Sequence, residues 1–257
     1  VLQTLGDYQT AKELLEKAMQ SNEKNFGKEH PTSIVIYANL AMVLKDLGDY
    51  LGAKMLLEKA MISNKTNFGK DPPDTARSYS NLALGLQALG DYQAAKELFE
   101  KAILSYETKF GNDHPNTAGS YSNMAILLQA LGDYQGAKTL LEKAMRSAET
   151  NFGKDHPTTA SSYSNLASVL QDLGDYQTAK ELFEKAMVSN EKNLGKDHPS
   201  TAVSYSNFAT VLQALGNYQV AKDLLQKAML SDEINFGKDH PNTARSYSNL
   251  ATVLQDL

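Results

Sequence analysis

A stretch of 42 residues recurs along the whole chain of 257 residues, and this period constrains the fold more than any other feature. The copy at residues 174–215 matches the preceding copy, residues 132–173, at 30 of 42 positions. A fixed period of this length predicts a stacked repeat architecture in place of a single closed core. Each copy opens on a glycine: Gly6, Gly48, Gly90, Gly132, Gly174 and Gly216.

Each copy is predicted to begin with a tight turn between two helices. Glycine tolerates a positive φ, so Gly174 suits the position that ends the helix before it. The next residue, Asp175, suits the N-cap of the following helix, because its carboxylate can accept backbone N–H groups. Asn217 replaces this aspartate in the last copy, and asparagine is expected to cap about as well.

Two amphipathic helices are predicted in each copy. The first has apolar residues at i, i+3, i+4, i+7 and i+8, namely Ala179, Leu182, Phe183, Ala186 and Met187. The second begins at a proline, whose missing N–H costs nothing in a first turn. Its apolar stripe in the same copy is Tyr205, Phe208, Ala209, Leu212 and Leu215. Neither helix can bury its stripe alone, so the helix pairs are expected to stack.

This pattern resembles the tetratricopeptide repeat. Its signature positions are filled by Tyr79, Leu82, Ala83, Leu86, Gly90, Tyr92, Ala95, Phe99 and Ala102. The usual repeat has about 34 residues. The eight extra residues here lengthen the first helix and its connector, which is similar to kinesin light chain and, more closely, to bacterial arrays of 42-residue repeats. Tyrosine stands at the position of the family's tryptophan, and the chain has no tryptophan.

The resemblance implies an all-α fold, a right-handed α-solenoid superhelix of stacked antiparallel helix pairs. We expect a single repeat domain over residues 1–257, interpreted as an excerpt of a longer array. The first helices should start near residues 7, 49, 91, 133, 175 and 217. The second helices should span about residues 31–47, 73–89, 115–131, 157–173, 199–215 and 241–257.

The composition bears on several classes of partner. The net charge is −5 and lysines alternate with glutamates, so we expect no nucleic-acid partner. No apolar run approaches the roughly 20 residues that span a bilayer, so no membrane partner is expected. The chain has no cysteine, which excludes disulfides and thiolate metal sites. Because this fits a reducing compartment, a cytoplasmic location is expected.

No arrangement of residues predicts catalysis, and we expect neither an enzyme nor a bound cofactor. Five histidines precede a proline: His30, His114, His156, His198 and His240. Equivalent residues of stacked helices lie roughly 8–10 Å apart, whereas zinc ligands lie about 2 Å from the metal, so no two could share one ion. The histidines are interpreted as loop or cap residues. Serine elbows and glycine-rich phosphate loops are absent from the sequence.

The strongest candidate site is a row of asparagines, one in each second helix: Asn39, Asn81, Asn123, Asn165, Asn207 and Asn249. The family resemblance implies that these helices line a concave groove and that such an asparagine hydrogen-bonds the backbone of a peptide ligand. One amide supplies two donors and an acceptor. Rungs roughly 9 Å apart would meet about every third residue of an extended chain. The alternative interpretation is that these amides tie neighbouring helices together.

The same resemblance implies further groove positions. One set is Gln87, Gln129, Gln171 and Gln213. Two sets vary among the copies: Val35, Arg77, Gly119, Ser161, Val203 and Arg245, and Met42, Leu84, Ile126, Ser168, Thr210 and Thr252. This variation fits side-chain specificity in a groove and also fits drift at a tolerant surface. Arg77 and Arg245 lie four copies apart, so they cannot form a clamp on one carboxylate.

Two functions remain after these exclusions. The first is a protein–protein interaction scaffold that binds an extended peptide or protein segment in the concave groove. The second is a structural spacer that associates with its own copies end to end and has no separate ligand. The first rests on the family resemblance and the asparagine row. The second rests on the absence of polar capping helices, because uncapped ends expose a stacking face.

Overall fold

The structure is a computed structural model that describes residues 7–68, 73–255 and 257. The described residues form twelve α-helices and no strand. The predicted turn at Gly6 lies outside them. In chain order the helices are α1 (Tyr8–Phe26), α2 (Pro31–Asp46), α3 (Tyr50–Phe68), α4 (Pro73–Ala88), α5 (Tyr92–Phe110), α6 (Pro115–Ala130), α7 (Tyr134–Phe152), α8 (Pro157–Asp172), α9 (Tyr176–Leu194), α10 (Pro199–Ala214), α11 (Tyr218–Phe236) and α12 (Pro241–Gln255).

The chain divides into two compact units, which we call the first unit (residues 1–131) and the second unit (residues 132–257). The first contains α1–α6 and the second contains α7–α12. Within each unit, every helix packs against the next one along the chain. Each unit is therefore an all-α repeat solenoid, as the repeat period predicts.

The odd-numbered helices begin at the predicted aspartate caps. Asp91 accepts a hydrogen bond from the backbone N–H of Ala94 at 3.3 Å, and Asp175 accepts one from Thr178 at 3.2 Å. The glycines before the first residues of α3, α5, α7, α9 and α11 have a positive φ, 81° at Gly174, as the turn requires. The prediction for Asn217 is wrong. Its side chain does not cap α11, because its amide nitrogen donates to the carbonyl of Leu215 instead.

The even-numbered helices begin at a proline, and a histidine precedes that proline in every helix except α4. The ring nitrogen Nδ1 of His156 accepts the backbone N–H of Thr158 at 3.1 Å, and Pro157 occupies the first helical position. The His156 ring stacks on Phe152, with ring centroids 5.0 Å apart. The same cap is present at His30, His114, His198 and His240. The interpretation of these histidines as cap residues is confirmed.

A tyrosine joins five of the even-numbered helices, all except α4, to the odd-numbered helix before each of them. Tyr205 is fully buried, and its hydroxyl donates to Glu191 Oε1 at 2.5 Å. Burial raises the pKa of Tyr205, and the hydrogen bond to the Glu191 carboxylate raises this pKa further. The same bond links four other pairs: Tyr37 with Glu23, Tyr121 with Glu107, Tyr163 with Glu149, and Tyr247 with Glu233.

A second set of bonds joins one repeat to the next within the second unit. The hydroxyl of Ser189 and the side-chain amide of Asn193, both on α9, donate to the backbone carbonyl of Asp155. Ser231 and Asn235 make the same pair of bonds to the carbonyl of the next repeat's connector, at Asp197. These bonds, which we call the latches, hold the connector before α8 against α9 and the connector before α10 against α11.

Two helical glycines make a matched test of the packing. A Cβ added at Gly119 would meet nothing within 4 Å, whereas one at Gly85 would lie 2.6 Å from Cδ1 of the buried Leu57. We expect Gly119→Ala to raise the free energy of unfolding by about 0.5–1 kcal/mol. Gly85→Ala should lower it, because displacing a buried side chain costs roughly 1–3 kcal/mol. Urea denaturation followed by circular dichroism measures both; equal gains would contradict the packing described here.

Candidate inner-face binding site

The even-numbered helices form one layer of each unit. In the first unit, α2 approaches α4 and α4 approaches α6 with Cα atoms within 8 Å. In the second unit, α10 approaches both α8 and α12 in the same way. Among the described residues, no two odd-numbered helices come this close. The even-numbered helices are therefore crowded together on the inner side of each unit, and the odd-numbered helices are spread on the outer side.

The six asparagines lie on this inner layer, three in each unit. Asn39 and Asn81 are exposed, and the other four are half-buried. We call these six side chains the amide row. None of them forms a side-chain hydrogen bond within the part of the chain that the structure describes. By contrast, Asn193 and Asn235 on the odd-numbered helices use their amides to bond neighbouring repeats.

The glutamines implied by the family are half-buried on the same helices: Gln87, Gln129, Gln171 and Gln213. Gln87 differs from the others in one respect. Its side-chain oxygen Oε1 is buried and has no hydrogen-bond partner among the described residues. A buried acceptor without a donor costs free energy, so a donor from a ligand or from water would be favourable at this place.

The two arginines implied by the family are exposed, Arg77 on α4 and Arg245 on α12. They belong to different units. Apart from these two arginines, the groove positions named above on the even-numbered helices are uncharged polar or apolar residues. In the second unit, Asp155 of the connector before α8 pairs with Lys192 of the odd-numbered helix α9 at 2.6 Å.

No cluster of side chains suited to metal binding is present in the described ranges. Histidine, aspartate and glutamate do not cluster there in groups of three or more that could hold an ion. A cleft of about 620 Å3 lies among α7, α8 and α9. Two of its carboxylates are engaged, because Glu149 accepts from Tyr163 and Asp155 pairs with Lys192, whereas Glu181 and Glu184 are exposed on α9.

Comparison with known families agrees with this architecture. A family model of the tetratricopeptide repeat matches residues 1–61, 74–150, 117–192, 158–230 and 206–257. The chain belongs to the tetratricopeptide repeat family. The resemblance inferred from the repeat signature is thereby confirmed. No curated protein matches the chain as a whole sequence.

Solved tetratricopeptide structures resemble this one. The nearly identical TPR-like repeats attributed to a Podosopora anserina kinesin light chain are 28% identical, with a TM-score of 0.69, over 80% of this chain and 98% of that one. BtubC (BKLC) from P. vanneervenii is 21% identical, with a TM-score of 0.73, over 91% and 92%. The quorum sensor NprR from B. thuringiensis is 18% identical, with a TM-score of 0.67, over 98% and 66%. The last two share the fold alone.

Membership in this family supports a general role as a protein-interaction scaffold. Tetratricopeptide repeat proteins are generally scaffolds of this kind and not enzymes. Among the helices that the structure describes, none has the length and apolar character needed to cross a membrane.

Proposed function

We propose that the inner layer of even-numbered helices in each unit binds an extended peptide segment of a partner protein, with that unit's three asparagines of the amide row contacting the peptide backbone. The observation that carries this proposal is that none of the six amides forms a side-chain hydrogen bond to another described residue. Each amide presents two donors and one acceptor, which complement the alternating carbonyl and N–H groups of a peptide. An extended peptide can meet a row of such groups because its own backbone groups are unpaired.

The amide row could instead stabilise the fold. The two roles predict opposite effects on thermal stability when the asparagines are changed to alanine. Alanine is a better helix former than asparagine by up to about 0.7 kcal/mol per site. If the amides are unpaired, changing all six to alanine raises the thermal midpoint. If the amides tie helices together, each change loses a hydrogen bond worth about 0.5–1.5 kcal/mol and the midpoint falls. We expect the thermal midpoint of unfolding, measured by circular dichroism, to rise in the variant with six alanines.

A peptide-library selection tests the binding role directly. The 257-residue chain should enrich peptides from a random library, and the variant with all six amide-row asparagines changed to alanine should not. The matched control carries three exposed outer-face substitutions, Gln93→Ala, Gln135→Ala and Gln177→Ala, and should enrich the same peptides as the parent. Undiminished enrichment by the amide-row variant, or no enrichment by the parent, would refute the proposal.

A second candidate, end-to-end association, is favoured by the last helix. Tyr205 and Leu212 of α10 are 0% and 3% exposed, whereas the equivalent Tyr247 and Leu254 of α12 are 37% and 50% exposed. This face fits the odd-numbered helix of another repeat, whichever chain carries that repeat. Light scattering should then show a mass that rises with concentration and returns to the monomer in Leu254→Lys. A monomeric mass at high concentration would exclude this candidate.

A further inference from the structure

The inner faces of the two units differ at one repeated position. Three residues after each asparagine of the amide row, the first unit carries Met42, Leu84 and Ile126, which we call the apolar row. The second unit carries Ser168, Thr210 and Thr252 at the same position. Residues three apart on a helix share a face, so every apolar-row side chain lies one turn along from an amide of its own helix.

The apolar row is not part of the hydrophobic core. Leu84 is 41% exposed, Ile126 is 46% exposed and Met42 is half-buried, whereas the neighbours Leu82 and Leu128 are buried. The helices α2, α4 and α6 carry one of these side chains each, and successive members of this layer approach closely. The row is therefore an apolar surface on the inner face of the first unit, beside three amides that form no side-chain hydrogen bond with any described residue. Covering it would remove apolar area from water.

A peptide supplies both kinds of group that this surface lacks. Its backbone offers donors and acceptors to the amides, and its side chains can cover the aliphatic row. An acyl chain would leave the amides unpaired at a buried interface, which is unfavourable. A nucleic acid would find few cations here, since the chain as a whole carries a net charge of −5. The chemistry of the surface thus selects an aliphatic peptide.

The helix spacing sets the period of that peptide. Neighbouring helices in one layer pack roughly 8–10 Å apart. A polyproline-II helix rises about 3.1 Å per residue with three residues per turn, so every third side chain returns to the same face after roughly 9 Å. In a β-strand, side chains alternate between faces, so every third residue would point alternately toward and away from the row. A polyproline-II peptide with an apolar side chain at every third residue therefore matches the spacing of the side chains in the apolar row.

Resting on the peptide-binding role proposed above, we infer that the first unit selects a peptide in polyproline-II conformation with an aliphatic side chain at every third residue. The backbone of such a peptide makes no internal hydrogen bonds, so it is free to pair with Asn39, Asn81 and Asn123. The second unit, with serine and threonine at the equivalent position, lacks this preference.

Two peptides of identical composition test the inference. The fluorescent probe Leu-Ser-Ser-Leu-Ser-Ser-Leu has the three-residue period, and its isomer Leu-Ser-Leu-Ser-Leu-Ser-Ser has a two-residue period. By fluorescence anisotropy with the 257-residue chain, the first should bind at least about tenfold more tightly. Equal affinity for the two isomers, or tighter binding of the two-residue isomer, would overturn the inference.

Variants that exchange the two units' residues locate the site. Changing the apolar row to Met42→Thr, Leu84→Thr and Ile126→Thr should abolish the preference between the isomers; threonine at two equivalent positions of the second unit shows that these helices accept it. The reciprocal Ser168→Met, Thr210→Leu and Thr252→Ile should add a second site and double the stoichiometry. A preference retained by the threonine variant would overturn the inference.

The library selection separates this inference from the proposed function. Loss of enrichment in the amide-row variant, together with enriched peptides that show no aliphatic three-residue period, would refute the inference and leave the binding role standing. Enrichment that does not depend on the amide row would refute both.

Discussion

Tyr205→Ala should lower the free energy of unfolding by about 3–5 kcal/mol, which is the usual cost of deleting a buried aromatic ring. The ring of Tyr205 is fully buried between α9, α10 and the following helix, so its removal leaves a cavity in the core. The substitution also leaves the Glu191 carboxylate without the hydroxyl that donates to it. Urea denaturation followed by circular dichroism measures the loss.

Two further variants divide this loss into its parts. Tyr205→Phe keeps the ring and removes only the hydroxyl, so it should cost about 1.5–3 kcal/mol, the range for hydrogen bonds to charged groups. Tyr176→Ala removes a tyrosine that is exposed at the start of α9 and should change stability by less than about 1 kcal/mol. Similar losses for Tyr205→Ala and Tyr176→Ala would contradict the packing of the repeat.

Alkaline pH should unfold the chain, because buried tyrosines hold their protons in the folded state. Burial, followed by the hydrogen bond to a glutamate, raises the pKa of Tyr37, Tyr121, Tyr163 and Tyr205 above its ordinary value of about 10. The unfolded chain loses these protons near pH 10, whereas the folded chain retains them. The stability that they contribute is therefore fully present below about pH 10 and is lost as the pH rises further.

Thermal midpoints measured by circular dichroism between pH 8 and pH 12 test this dependence. The midpoint should fall steeply above about pH 10, and phenolate absorbance from the buried tyrosines should appear only as helix content is lost. The triple variant Tyr121→Phe, Tyr163→Phe and Tyr205→Phe should begin with a lower midpoint and show a shallower alkaline fall. Ionisation of all thirteen tyrosines without loss of helix would contradict the account.

The fold could be predicted from the sequence because each repeat contains the residues that mark where its helices begin and end. The prolines at residues 31, 73, 115, 157, 199 and 241 begin the even-numbered helices, as predicted. Glycine followed by aspartate, or by asparagine before α11, marks the turn before each odd-numbered helix in the sequence. These signals are local, since a positive φ, a missing N–H and a cap each depend on only a few neighbouring residues. The six-fold repetition then makes the pattern visible against drift in single copies.

The bonds between elements were not predicted, because they join residues that are distant in sequence. Glu191 lies 14 residues before Tyr205, and Ser189 lies 34 residues after the Asp155 carbonyl that it contacts. The sequence does contain a sign of the first bond. A glutamate stands 14 residues before five of the six tyrosines of the even-numbered helices, and Lys65 stands at this position in the remaining copy. Its meaning depends on the tertiary packing of two helices. The missing side-chain cap at Asn217 likewise could not be predicted, because its side chain can bond either the first backbone N–H groups of α11 or the carbonyl of Leu215.

The six asparagines of the candidate site could be predicted from the sequence, whereas the hydrogen bonding of its side chains could not. The family resemblance implied the six asparagines, and the structure adds that their amides make no intramolecular bond among the described residues. It also adds the buried, unpartnered oxygen of Gln87, which no sequence pattern distinguishes from the equivalent glutamines. Whether a polar atom is satisfied depends on the positions of all its neighbours, and repeat periodicity carries no such information.

The most direct test of the peptide-binding account observes the asparagine side chains themselves. Protein labelled with 15N only at asparagine gives side-chain NH2 resonances in a two-dimensional 15N–1H spectrum, recorded with and without a peptide from the library selection. The account predicts that resonances of the amide row shift on binding, whereas those of the latch residues Asn193 and Asn235 do not. A peptide that binds while the amide-row resonances stay in place would contradict it.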